Sequence, residues 1–437
     1  MTGLTDPWVY TSEDILRDYH RLERSKDLDP LMERIGNAKY VLLGEASHGT
    51  HEYYTWRTAI SKRLIEEKGF SFIAVEGDWP DCYKLNRLVK AYPGSGIKAE
   101  DVVRDFRRWP TWMWANWEIV AFSEWMKNFN VGLSAENKIG FYGLDIYSLW
   151  ESMEVIVDYL QKEDPVTAEF AMKAVNCFEP YKEEDNYVNA LNALKPDCKN
   201  EVVRLLQEIR KKAPQYDGDR EAGLNAEMNA MVLADAEKYY QAMITFRDNS
   251  WNVRDKHMME TLNALMKFHG PRAKVIVWEH NTHIGDARAT AMRQEGLLNV
   301  GQLVREQHEA EGVVLVGFGS YEGSVIAGSS WGDPMKKMIV PPAKENSVEE
   351  ILHRDSTENK LLIFDKNTTL KERFNNWLGH RAIGVVYNTE RENGNYVPTI
   401  LPSRYDAFLY INQTKALHPL HIKPDGHLMP ETYPFGM

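Results

Sequence analysis

Seven short runs of apolar and β-branched residues recur along the chain, separated by longer stretches with helical spacing. The runs cover residues 38–45, 70–77, 138–145, 273–280, 312–319, 360–365 and 381–388. Continuous apolar strands that alternate with helices are typical of a sheet covered by helices on both faces. The sequence therefore predicts an α/β fold: a three-layer α/β/α core whose sheet is largely parallel or mixed.

The stretch from 148 to 270 interrupts this alternation because it contains no strand-like run. Its segments EVVRLLQEIRKKA, LNAEMNAMVLADAEKYYQAMI and RDKHMMETLNALMKFHG have apolar residues at helical spacing. We interpret it as a large helical insertion, one antiparallel bundle, within the α/β core. The predicted organisation is residues 1–147 as the first part of the core, 148–270 as the insertion and 271–437 as the second part. The segment FLYINQ is expected to be the last strand of the sheet.

The charge balance restricts the partners of this chain. Its 437 residues include 52 Lys and Arg against 64 Asp and Glu, which gives a net charge of −12. Nucleic-acid binding and binding to anionic membranes both need a positive field, so neither is expected. No run approaches the ~18 apolar residues of a membrane span, and the amino terminus does not have the pattern of a signal peptide. We expect a cytoplasmic protein.

The three cysteines, Cys82, Cys177 and Cys198, are widely spaced and odd in number. They form neither a CxxC pair nor a zinc-binding pattern. We therefore expect reduced thiols, in keeping with a cytoplasmic location.

Carboxylates and imidazoles follow four of the predicted strands at their carboxyl ends. In chain order they are Glu45, His48, His51, Glu76, Asp145, His280 and His283. Only 13 residues are histidines, yet four of them form two HxxH pairs that each follow a strand. Ligands bind at the carboxyl edge of open α/β sheets. We therefore expect a deep, acidic and histidine-lined pocket there.

These residue types suit hydrolysis by an activated water molecule. His48 could act as a general base, since an imidazole with a pKa near ~6.5 accepts a proton at neutral pH. Glu45 or Glu76 could fix its tautomer or orient the water, and His280 and His283 could stabilise an oxyanion or protonate a leaving alkoxide. The same side chains could bind zinc or manganese. That alternative stays open, although the HExxH motif is absent.

A serine nucleophile is not favoured. The segment GSSWG at 328–332 matches the GxSxG pattern with Ser330 at its centre. A nucleophile elbow requires a helix directly after the serine, and DPMKKMIVPP is a poor helix start. We interpret the match as chance.

Tryptophans are dense between residues 108 and 130. Trp109, Trp112, Trp114 and Trp117 cannot all face one core, so we expect some of them to line an entrance for a bulky apolar or sugar-bearing ligand. Trp112 is our candidate substrate contact.

Five segments in this order and spacing resemble the erythromycin esterase family: VLLGEASHGTHEYYTWR, FIAVEGDWPD, FYGLDIYSL, NVRDKHM and VWEHNTHIGD. The resemblance spans roughly residues 10 to 415. It implies an α/β core with a helical insertion and hydrolysis of a macrolactone ester without a serine nucleophile.

The resemblance also implies roles for matched positions. His48 would be the general base, Glu45 and Glu76 the essential carboxylates, and Arg57 would brace the carboxylates. His280 and His283 would complete the pocket, and Arg254 and Asp255 would belong to its wall. We expect the substrate to be bound by Arg57, Arg254 and Asp255 together with His51 and Asp145 from the strand ends.

We therefore expect a hydrolase of a bulky small-molecule ester or lactone that uses no metal and no cofactor. A macrolide-type macrolactone, and hence a role in the response to macrolide antibiotics, is one candidate. Two alternatives stay open: a metal-dependent hydrolase with the same pocket, as in the distantly similar Tiki-like proteases, and a relative that binds its ligand without turnover. The sequence does not predict an oligomeric state.

Overall fold

The computed structural model describes residues 19–96, 98–178, 198–212, 221–245, 249–364 and 368–421. The strands are β1 (His20–Arg21), β2 (Tyr40–Leu43), β3 (Phe72–Asp78), β4 (Gly140–Asp145), β5 (Val275–Trp278), β6 (Val313–Ala327), β7 (Lys336–Val340), β8 (Lys360–Ile363), β9 (Leu378–Arg381), β10 (Tyr396–Thr399) and β11 (Ala407–Thr414).

The α-helices are α1 (Asp29–Ile35), α2 (His51–Lys68), α3 (Trp79–Val89), α4 (Ala99–Arg104), α5 (Trp117–Phe129), α6 (Leu149–Glu163), α7 (Pro165–Phe178), α8 (Lys199–Lys212), α9 (Ala222–Thr245), α10 (Ser250–His269), α11 (Asn281–Ile284), α12 (Val300–His308), α13 (Val348–Asp355), α14 (Thr368–Phe374) and α15 (Leu401–Arg404). Short 3₁₀ helices occupy Ser25–Leu28, Thr111–Met113, Ala135–Asn137, Ala287–Ala289, Ala291–Glu295, Glu309–Glu311 and Thr389–Gly394.

A nine-stranded mixed sheet forms the centre of the molecule. Its order is β1-β8-β11-β6-β2-β5-β3-β4, and β7 pairs with β6 outside this path. The six strands from β11 to β4 run parallel to one another, whereas β1, β8 and β7 pair antiparallel. The predicted mixed sheet is confirmed, and FLYINQ lies in β11, which is an inner strand between β8 and β6.

Side chains of each parallel strand alternate between two apolar cores, one on each face of the sheet. In β2, Val41 and Leu43 pack into the core that α2 and α5 cover, and Tyr40 and Leu42 pack into the core that α10 and α12 cover. All four residues are buried, because a strand covered on both faces has no polar side. The predicted three-layer α/β/α core is therefore confirmed.

The described residues between 148 and 270 are helical and contain no strand, as the sequence indicates. The helices α6 to α9 share an apolar core that includes Ile156, Leu205 and Leu233. Parts of this stretch, residues 179–197, 213–220 and 246–248, lie outside the described residues. The three-part division at 147 and 270 stays a prediction.

The strand expected over 381–388 is wrong. Only Arg381 of this segment belongs to a strand, and β9 pairs antiparallel with β10 in a separate two-stranded sheet. Ile383 and Val386 make only isolated bridges, to Ser47 and Gly328. Ile383 and Tyr387 pack against apolar residues of β6 and β7 instead of extending the main sheet. The amide of Ile383 donates to the carbonyl of Ala46 in the loop after β2.

The expectation of three reduced thiols is also wrong. Cys177, near the end of α7, and Cys198, just before α8, form a disulfide with Cα atoms 5.8 Å apart, while Cys82 is free and buried. Their separation of 21 residues matches no short motif, and it is the packing of α7 against α8 that brings them together. The cysteines therefore no longer support the expected cytoplasmic location. None of the described helices combines the length and apolar character of a membrane-spanning helix.

The loop between β2 and α2 is held by close backbone packing at Gly49. Its carbonyl accepts hydrogen bonds from the amides of Ile326 and Leu417, and a Cβ at this position would lie 1.9 Å from the Ile326 carbonyl oxygen. Only glycine fits so close an approach of two backbones.

We predict that Gly49→Ala destabilises the protein by about 1–3 kcal/mol, the usual cost of overpacking a well-packed site. Urea unfolding measures this change. Gly394→Ala is the matched control, since a Cβ there meets no atom within 4 Å, and its unfolding curve should match that of the unaltered protein. Equal stability of both variants would contradict the packing described for this loop.

Candidate active site

Four neighbouring parallel strands, β2, β5, β3 and β4, end at one edge of the sheet. Polar side chains at or just beyond their carboxyl ends meet there and line or border one cavity. These are Glu45, His48, Glu76, Asp145, His280 and His283, all of them buried. The cavity has a volume of about 480 Å³. Strand order thus brings together the residues predicted at the strand ends except His51, which lies outside the cavity lining.

His48 is held by a carboxylate that is itself held by a guanidinium. The Nδ1 atom of His48 lies 2.8 Å from Glu45 Oε1, and Arg57 donates to the other oxygen of Glu45 at 2.7 Å. Glu45 is 2% exposed and Arg57 1% exposed. The guanidinium also lies over the rings of Tyr54 and Trp278, at 4.4 and 4.8 Å. Arg57 therefore makes the bracing contact that the family resemblance implies.

Arg254, which comes from α10, connects three of the strand ends. Its guanidinium donates twice to Asp145, at 2.8 and 2.6 Å, and once to Glu76 Oε1 at 2.8 Å. A fourth contact, of 3.0 Å, joins it to Nε2 of His283. Because a guanidinium can only donate, this nitrogen of His283 is the acceptor.

The two histidines after β5 are fixed in different ways. Nδ1 of His283 lies 2.9 Å from Asp255 Oδ1, and its ring stacks on Trp251. In His280, Nδ1 accepts from the amide of Thr282, and the backbone amide of His280 donates to Glu76 Oε2 at 2.8 Å. The ring of His280 lies 4.9 Å from the ring of His48.

Neighbouring charges and burial shift the pKa values of these groups in different directions. Burial alone would lower the pKa of His48, but the charge of Glu76 and the contact with Glu45 outweigh it and raise the pKa above the ordinary imidazole value. Burial and the neighbouring His48 hold the pKa of His280 well below that value. Burial would raise the pKa of Glu76, but His283, Arg254 and His48 keep it well below the usual range. At neutral pH, Glu76 is therefore a carboxylate and His280 is uncharged.

Four predicted substrate contacts do not line the cavity: Arg57, His51, Asp255 and Trp112. Arg57 and Asp255 hold Glu45 and His283 instead. The ring of His51 contacts Glu118, and Trp112 is buried against Trp109. The tryptophans that do line the cavity are Trp109, Trp114, Trp251 and Trp331. Helical periodicity could not predict which tryptophans line the cavity, because residues 108–116 form a 3₁₀ turn and loops and α5 begins only at Trp117. Ser330 is exposed in a turn that no helix follows.

Sequence reasoning missed two carboxyl groups near this site, one of them partly buried and the other fully buried. Asp78 lines the cavity, and burial, only partly offset by Arg108 and reinforced by Asp145, raises its pKa to about 8. Glu279 is fully buried and, among the described residues, neither of its oxygens has a hydrogen-bond partner. Burial raises its pKa well above the usual range, so it is neutral. Asp78 and Glu279 both lie within segments that resemble the family, but only the folded structure shows how far each carboxyl group is shielded from water.

The donor set of the cavity does not fit a divalent cation well. Arg254 occupies the positions on Glu76 Oε1 and His283 Nε2 that a metal would need, and it brings a positive charge among them. These contacts favour the metal-free interpretation over the metal-dependent one.

Comparison with known proteins identifies relatives over most of the chain. The profile of a family described as Erythromycin esterase matches residues 65–414. The chain is 23% identical to an erythromycin esterase type II from Escherichia coli over 388 residues, which are 82% of this chain and 88% of that protein. A solved Bacillus cereus protein has a TM-score of 0.77 at 20% identity, covering 94% of this chain and 99% of that one. A solved erythromycin esterase mutant in an open conformation has a TM-score of 0.66 at 15% identity, covering 91% and 97%.

The pair of Arg57 and Glu45 gives a testable energetic prediction. Replacing Arg57 by Met would leave a buried carboxylate without its cation, which costs about 3–5 kcal/mol. Urea unfolding should show this loss, and Arg57→Met combined with Glu45→Gln should lose less than the sum of the single variants.

Arg104→Met is the control, because Arg104 forms an exposed pair with Glu100 and such pairs contribute about 0–1 kcal/mol. If Arg57→Met lowered the free energy of unfolding no more than Arg104→Met does, the buried pair would not be important for stability.

Proposed function

The chain belongs to the erythromycin esterase family of hydrolases, and we propose that it hydrolyses an ester or lactone with a water molecule activated by His48. The observation that carries this proposal is the pairing of His48 with Glu45 inside the cavity. Nδ1 of His48 faces the carboxylate, while Nε2 makes no hydrogen bond to any residue in the described ranges and the ring lines the cavity. The free nitrogen is the one that can accept a proton.

The first step depends on the tautomer of neutral His48. A carboxylate only accepts, so the neutral ring carries its proton on Nδ1 and its lone pair on Nε2. Nε2 takes a proton from water, and the water oxygen bonds to the carbonyl carbon of the substrate to give a tetrahedral oxyanion. As the intermediate collapses, the bond to the alkoxide breaks and protonated His48 returns the proton to that oxygen. Glu45 and Glu76 stabilise the imidazolium between the two steps.

The oxyanion is the second charge that the site must stabilise. Arg254 lines the cavity and is fixed by Asp145 and Glu76, so its guanidinium needs little reorganisation as negative charge develops. His280 stays neutral beside His48, so it does not add a positive charge that would oppose protonation of His48. His283 acts through Arg254, whose guanidinium it contacts.

The cavity walls favour a bulky and largely apolar substrate. Trp109, Trp251, Trp331 and Tyr147 line it, and aromatic rings of this kind pack against alicyclic and sugar-bearing ligands. A macrolide-type macrolactone fits this description, and the similarity to the Escherichia coli esterase supports testing it first. Cleavage of such an antibiotic would make resistance to macrolides the physiological role.

We predict that the pure protein adds one water to erythromycin or to a member of a panel of bulky esters and lactones, as seen by mass spectrometry. His48→Asn should lower kcat by at least ~10³-fold, because a general base and the charge it develops are both lost. Ser330→Ala, the control for a serine nucleophile, should keep full activity. Melting temperatures establish that both variants are folded.

Three results would contradict this mechanism. Full activity of His48→Asn would exclude it as the base. Loss of activity on chelation and recovery with zinc or manganese, together with loss of the bound metal in His280→Asn, would favour the metal-dependent alternative. Binding of the panel compounds without turnover would favour a relative that only binds its ligand.

The pKa of His48 sets the pH dependence. Protonated His48 cannot accept a proton, so kcat/KM should fall as the pH drops through its pKa, which lies above the ordinary ~6.5. Glu45→Gln removes a negative charge that stabilises the imidazolium, so this pKa decreases and the acid limb moves to lower pH. A pH–rate profile of both proteins measures the shift. An acid limb that moves to higher pH in Glu45→Gln would contradict the assigned contact.

A further inference from the structure

A second cluster of histidines and a carboxylate lies outside the cavity lining. It consists of His51 at the start of α2, Glu118 in the first turn of α5 and His418 in the segment after β11. Nδ1 of His51 lies 2.6 Å and Nδ1 of His418 2.7 Å from the same oxygen, Glu118 Oε1. One potential ligand atom from each of the three side chains lies within 4.8 Å of the other two.

We propose that His51, Glu118 and His418 bind a zinc ion. Two imidazoles and one carboxylate are a common zinc ligand set, with a water molecule in the fourth position. Zinc bonds of about 2.0–2.2 Å place tetrahedral ligands about 3.3 Å apart, so small side-chain rotations would admit the ion. Imidazole nitrogens favour zinc over magnesium or calcium, which prefer oxygen ligands.

The carboxylate offers an unused ligand atom. Glu118 is buried, and its Oε2 has no hydrogen-bond partner among the described residues. A buried carboxylate oxygen without a partner is costly. A cation bound at the cluster would satisfy it. His418 is partly exposed, with 37% of its side chain accessible, so solvent zinc can reach the cluster.

Backbone hydrogen bonds hold the three side chains in place without the metal. The amide of His51 donates to the carbonyl of Lys415, the amide of Trp117 donates to the carbonyl of His418, and the amide of Leu417 donates to the carbonyl of Gly49. These bonds join the starts of two helices to the segment after β11. Zinc would crosslink the same three segments, and one of them directly follows the loop that carries His48.

The test uses the untagged full chain, stripped of metal by a chelator and then titrated with zinc chloride by calorimetry. We expect one zinc per chain and a melting temperature that rises with zinc concentration, since a ligand that binds only the folded state stabilises it. Magnesium chloride should have no such effect. His418→Asn and Glu118→Gln should each weaken zinc binding at least tenfold. His418→Asn keeps the test valid if Glu118→Gln does not fold, because His418 is the most exposed member.

Two control variants locate the site. His308→Asn removes a histidine that contacts a single carboxylate, Glu311, and it should leave zinc binding unchanged. His280→Asn alters the cavity and should also leave zinc binding unchanged. The proposal is overturned if the protein binds no zinc, if His418→Asn binds it as tightly as the unaltered protein, or if His280→Asn abolishes binding, which would place the ion in the cavity.

Discussion

Two guanidiniums, the buried Arg57 and the partly buried Arg254, allow the acidic edge of this sheet to exist. Glu45, Glu76 and Asp145 are all nearly inaccessible, and three carboxylates could not be buried so close together without compensating positive charge. Arg57 neutralises the first, and Arg254 bridges the other two. The tautomer of His48, the low pKa of Glu76 and the shape of the cavity all depend on these two side chains.

The position of Arg254 gives the helical stretch a direct part in the site. The arginine lies on α10, as do Asp255, which fixes His283, and Trp251, which stacks on it. The strands thus supply the carboxylates and the base, and α10 supplies the bridging cation and part of the wall. A change in how α10 packs on the sheet would therefore change both the electrostatics and the substrate space of the cavity. Variation among relatives in this stretch is expected to alter specificity without altering the His48–Glu45 pair.

The sequence predicted the layers and most strands, because buried parallel strands leave continuous apolar runs, and it predicted the edge at which Glu76 and His280 meet. It could not predict lateral strand order or the direction of side chains in irregular segments. Trp112 was therefore expected at the entrance but is buried, while Trp331, from a loop 219 residues further along the chain, lines the cavity. The 381–388 run is not a strand, because its buried apolar residues pack against β6 and β7 while its backbone makes only isolated bridges beyond Arg381. The disulfide and the contact of His418 with α5 both depend on packing that no local pattern encodes.

The protonation state of His48, which Glu45 holds ready to accept a proton, can be measured directly on the side chain. Nitrogen NMR of ¹⁵N-histidine-labelled protein, with His48→Asn to assign the signal, reports both the tautomer and the pKa of this ring. We predict that neutral His48 carries its proton on Nδ1 and that the ring titrates above ~6.5. A neutral ring protonated on Nε2, or a pKa below the ordinary value, would contradict it.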